Sequence, residues 1–123
     1  MAKIYTGKRE NNTVIAVEVI THQSGNKVRK RKLRHIQYHS PEGFQWSDGG
    51  SGSADLALAI LVDYFRARPP RDSSRKFSRW TEKSQAWQHH QDFKWHFVAI
   101  FADEWELYDT QIEAWLKEKE KEE

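Results

Sequence analysis

Lys27, Arg29, Lys30, Arg31, Lys32 and Arg34 place six cations within eight residues, the densest run of positive charge in the chain. Cations packed this closely suit a polyanion, because each phosphate they neutralise releases condensed counterions. On a strand, Arg29 and Arg31 point to one face while Lys30, Lys32 and Arg34 point to the other, so a two-stranded ribbon can present cations on both sides. The bland alternative is a charged edge that discourages strand-to-strand aggregation. A second basic segment surrounds Pro69 and Pro70, with Arg66, Arg68, Arg71, Arg75, Lys76 and Arg79. Trp80 follows it directly, and an aromatic ring beside arginines can stack on a nucleobase.

A different chemistry is open to Gly49-Gly50-Ser51-Gly52-Ser53, which leads straight into the apolar run Ala54 to Leu61. Glycines allow close backbone approach, and the first turn of a helix presents N–H donors with a partial positive charge behind them. Such a turn can hold a phosphate or another anion. The lysine and Ser/Thr of a nucleotide-binding P-loop are missing. The competing reading is a purely structural turn in which the glycines let Trp46 tuck against the helix.

No nucleophile elbow, paired-carboxylate motif or cysteine is present, so no catalytic residue is assigned. The lack of cysteine also excludes disulfides and thiolate zinc sites. His89, Asp92 and His96 can share one helical face, but no further ligand accompanies them, so neither a metal nor a cofactor is expected. His90 is expected to pack near Trp87 and Phe93.

These residues must be positioned by a small fold. The 123 residues include six tryptophans and suffice for one compact domain, expected over residues 1–116 with a charged tail over 117–123. Residues 1–101 hold 17 Lys and Arg against 9 Asp and Glu, whereas residues 102–123 hold 3 against 9. A basic body with an acidic tail fits a nucleic-acid or acidic partner for the body, and the tail itself can meet a basic protein. No apolar run approaches the roughly 20 residues needed to cross a bilayer, and the N-terminus lacks a signal-peptide core, so a cytoplasmic location is expected.

The pattern predicts strands first and helices afterwards. Lys3 to Thr6 and Asn12 to His22 read as strands, Ser24-Gly25-Asn26 as a turn, and Lys27 to His39 as a returning strand with a bulge near Lys32 to correct the parity of Leu33. Phe44 to Trp46 suits a brief strand. Helices are predicted from about Ser53 to Ala67 and from about Thr81 to Phe101, and a last one follows Asp109-Thr110. Trp105 to Tyr108 reads as a short extended piece, and Trp46, Trp87, Trp105 and Trp115 as core. The result is an α+β fold in which a three-stranded antiparallel meander packs against two or three helices.

The stretch GFQWSDGGSGSADLALAIL resembles an uncharacterised family of small phage, bacterial and archaeal proteins, the domain of unknown function 6166, with the pattern F-x-W-G-x-x-G-S-G-P-x-x-L-A-x-x-I-L. HQDFKWHFVAIF and DEWELYDTQIEAWL resemble the family's second half, where D-F-K leads to a Trp and an I-x-x-W-L ending. The chain departs from the pattern at Ser47, where the family has Gly, and at Ser53, where it has Pro. The resemblance implies a mobile-element context. Together with the basic segments, it leads to the expectation of a non-enzymatic protein that binds nucleic acid or a host nucleic-acid-handling defence complex. A nucleotide-binding protein or hydrolase using the glycine turn is one alternative, and an interaction module using the acidic tail is another.

Overall fold

The computed structural model describes residues 2–69 and 80–122. The fold is α+β, and the chain divides into two compact units, Met1–Lys32 with Asp103–Glu123, and Leu33–Ala102.

In the first unit, β1 (Lys3–Glu10), β2 (Thr13–His22), β3 (Val28–Lys32) and β4 (Glu104–Tyr108) form one antiparallel sheet in the order β3-β2-β1-β4. Asn11 and Asn12 both have positive φ, 47° and 64°, the conformation of a two-residue hairpin turn whose twist matches the flanking strands. That turn lets β1 run on to Glu10, four residues beyond its predicted end. Tyr5 pairs with Val19 on one side and Leu107 on the other, and all three are buried on one face. The last helix, α3 (Asp109–Lys121), adds Ile112 and Trp115 to this core. Its start is fixed by Asp109, which accepts from Lys3 N at 3.0 Å and places a carboxylate in the first helical turn.

The returning strand ends at Lys32, well short of the predicted His39, and the predicted bulge falls elsewhere, between Lys8 and Arg9. Leu33 has the wrong parity because the chain leaves the sheet there. Leu33 and Ile36 are buried in the second unit instead.

That unit is built on α1 (Ser51–Phe65), in which every residue from Ser53 to Val62 is buried. A helix apolar nearly all round belongs in an interior. Its first intrahelical bond runs from Ala54 N to Gly50 O, so the helix starts two residues earlier than predicted, and Ser53 is its third residue. The long second helix predicted over Thr81 to Phe101 is broken in two places. Residues 80–83 are helical; Ser84 then turns extended, and its hydroxyl accepts from Trp87 N at 3.2 Å, capping α2 (Gln85–His96). A 3₁₀ turn, Val98–Ile100, follows. Phe44 to Trp46 forms no strand.

Candidate functional site

The second unit holds a polar cluster that the sequence did not announce. Asp55, in the second turn of α1, is fully buried. Its Oδ1 accepts from His39 N at 2.7 Å, and its Oδ2 accepts from Ser40 N at 2.9 Å and lies 2.8 Å from His35 Nε2. A buried carboxylate with three partners is a tether: it orders residues 35–40, which have no regular structure, against α1.

The tether places His39 against α2. His39 Nε2 lies 3.0 Å from His90 Nε2, and His90 Nδ1 lies 2.5 Å from the Trp87 carbonyl. A carbonyl only accepts, so Nδ1 of His90 carries a hydrogen and Nε2 of the neutral ring offers its lone pair to His39. Burial holds both rings below the usual histidine range, and the Lys94 ammonium depresses them further while Asp55 opposes that effect. Trp87 stacks on His39 with centroids 5.7 Å apart and touches His90 at 4.4 Å, while Tyr38 meets Trp87 edge-on at 4.4 Å. His90 thus sits beside Trp87 as expected. Trp87 itself is half-buried, because one side of its ring serves this cluster.

Lys94 is buried to 6% exposure, and its Nζ donates to Gly49 O at 3.0 Å. Two of the three stretches that carry the family resemblance meet at this bond. At Gly49 a Cβ would collide with the Trp95 ring, and at Gly52 it would come within 2.8 Å of Gln45 Cβ. These glycines therefore serve close packing. The turn that can be read as an anion site, Gly49, Gly50, Ser51, Gly52 and Ser53, has the Asp48 carboxylate beside it. Its Oδ1 accepts from Gly50 N at 2.9 Å and from Ser53 Oγ at 2.7 Å, so a negative charge already stands beside the turn and opposes an added anion.

Ser47 shows why its position favours glycine. Its φ is +71°, in the left-handed region. Two bonds hold it there, from Ser47 N to Val98 O at 3.0 Å and from Ser47 Oγ to Phe101 O at 2.5 Å. Trp46, only 1% exposed, is fixed beside it by Nε1 donating to Ala102 O at 2.8 Å.

The basic strand lies in the other unit. All five residues of β3 are exposed, and β3 forms the outer edge of the sheet. Arg29 and Arg31, opposite Thr21 and Val19, share the face of Tyr5, whereas Lys30 and Lys32, opposite Ile20 and Glu18, share the other. The ribbon does not protrude, because β1 pairs with the same stretch of β2 that β3 uses. Lys30 lies 3.4 Å from Glu18, and Lys27, Arg29 and Lys32 have no ion-pair partner among the described residues. Arg34 is exposed but belongs to the second unit.

Of the second basic segment, Arg71, Arg75, Lys76 and Arg79 lie outside the described residues. Arg68 and Trp80 line a groove of about 500 Å³ between the end of α1 and the start of α2. Phe65, Ala67 and Ala86 give it apolar walls, and exposed Arg68 and Lys83 stand at its rim. Among the described residues, no group of three or more His, Asp or Glu is arranged to hold a metal ion, His89, Asp92 and His96 included. Among the same residues, no helix is long and apolar enough to cross a membrane.

The sequence profile of a family of unknown function, DUF6166, matches residues 5–118. The chain belongs to this family. No curated protein and no solved structure matches it. The DUF6166 match spans residues of both units.

Proposed function

We propose that this DUF6166 protein works by binding nucleic acid, with the β3 edge as its principal contact. The observation that carries this reading is the exposure of every β3 residue at a sheet edge, with cations leaving on both faces. Lys27, Arg29 and Lys32 are available to phosphates without first breaking an ion pair among the described residues. An aggregation-resistant edge needs only a charge or two, whereas six cations in eight residues exceed that need.

Catalysis is not part of the proposal. Asp55 is committed to three partners, and the two imidazoles face each other, so neither group is presented to a substrate. A mobile-element protein that disables a host nucleic-acid-handling complex is the narrower form of this reading, and it would use the same strand.

Fluorescence anisotropy with labelled DNA and RNA at 50 and 200 mM salt tests the proposal. Four phosphate contacts predict a loss of affinity of about 100-fold across that range. Changing Arg29, Arg31 and Lys32 to Ser should lower the salt slope by about one unit for each phosphate no longer neutralised. An absence of binding at 50 mM salt, or a triple variant that binds like the native protein, overturns it.

A further inference from the structure

We propose that the groove beside Trp80 takes a single nucleotide of single-stranded nucleic acid, with its base against the Trp80 ring and its phosphate between Arg68 and Lys83. The inference rests on the nucleic-acid reading above and adds a preference for single strands, which an edge strand of cations does not supply.

The size, walls and rim of the groove lead to one kind of occupant. A volume of about 500 Å³ falls in the range of small-ligand sites, roughly 300–1,000 Å³. Apolar walls from Phe65, Ala67 and Ala86 reject a fully hydrated ion, so a bare phosphate or sulfate is a poor fit. Arg68 and Lys83 line the groove and have no ion-pair partner among the described residues, a charge that suits an anionic occupant. A ligand with one flat apolar part and one negative part meets both requirements. Nucleotides have this division, and half-buried Trp80 offers an aromatic surface for the base. The exposed Gln85 amide at the groove can donate and accept, which suits the polar edge of a base. In a duplex the base is stacked inside the helix and cannot enter, which is the physical origin of the strand preference.

The test compares a labelled single-stranded 15-nucleotide DNA with a duplex of equal length, using the native protein, Trp80→Ala, Trp80→Phe and the pair Arg68→Ser/Lys83→Ser, with melting temperature as the check on folding. Trp80→Ala should weaken single-strand binding about 5- to 150-fold and leave duplex binding unchanged, while Trp80→Phe keeps most of the affinity. The Arg68→Ser/Lys83→Ser pair changes only exposed side chains, so it carries the test if Trp80→Ala fails to fold, and it should weaken single-strand binding selectively. Equal effects on both probes, or none on the single strand while the β3 triple variant loses both, overturn the groove but leave the nucleic-acid reading standing. Failure of the native protein to bind either probe removes both.

Discussion

His39 and His90 face each other through their Nε2 atoms at 3.0 Å, with His90 held in one tautomer by the Trp87 carbonyl. The pair is therefore built to be neutral. Burial lowers both titrations in the native state, so at pH values just below about 6.5 the unfolded chain binds more protons than the folded one. Stability from this pair is fully present above about pH 6.5 and is lost as pH falls from there toward the lowered native values. Urea midpoints should drop between about pH 7.5 and 5.5, and the drop should shrink in His39→Gln with His90→Gln. A double variant with the native pH dependence would show that the pair is not its source.

Asp55 gives the sharper stability test. Asp55→Ala leaves two backbone N–H groups and the His35 ring without their acceptor in a buried place, at a cost of about 3–5 kcal/mol. Asp55→Asn keeps one accepting oxygen and should cost less. Chemical denaturation orders the two variants, and equal losses would contradict the tether.

Ser47 separates backbone strain from hydrogen bonding. Ser47→Ala keeps the left-handed φ and loses the bond to Phe101 O, so it should destabilise by about 1 kcal/mol. Ser47→Gly loses the same bond but relieves a strain of about 1 kcal/mol, so its stability should stay close to native. Thermal melts of both decide the matter, and Gly below Ala would refute the account of backbone strain at this position.

Asp48 predicts how the glycine turn behaves. Asp48→Ala removes the acceptor for Gly50 N and Ser53 Oγ and should cost about 1 kcal/mol. Inorganic phosphate should leave the melting temperature of the native protein unchanged, because the Asp48 carboxylate beside the turn repels an added anion. A rise in melting temperature with phosphate would restore the anion-binding reading.

Much of the fold was legible wherever local chemistry decides conformation. Val14 to His22 is dense in β-branched residues, Gly25 and Asn26 both adopt positive φ in the turn the sequence marks, and Asp109-Thr110 lies at the start of a helix. The Asp55 cluster was not legible. A single aspartate inside the apolar run Ala54 to Val62 was its one signal, since a helix buried all round does not carry a carboxylate without partners. Those partners come from residues 35–40, and no periodicity connects them to position 55.

The types of contact this protein can make, with cations on an edge and aromatics in a core, follow from composition and alternation, because those rules act between neighbours along the chain. Which groups meet was decided by tertiary structure alone. Asp48 closing the glycine turn, Lys94 reaching Gly49 across 45 residues and His39 meeting His90 across 51 all depend on how α1, α2 and the irregular segments pack. A hydrogen bond is fixed by distance and direction in space, and sequence separation carries no information about either.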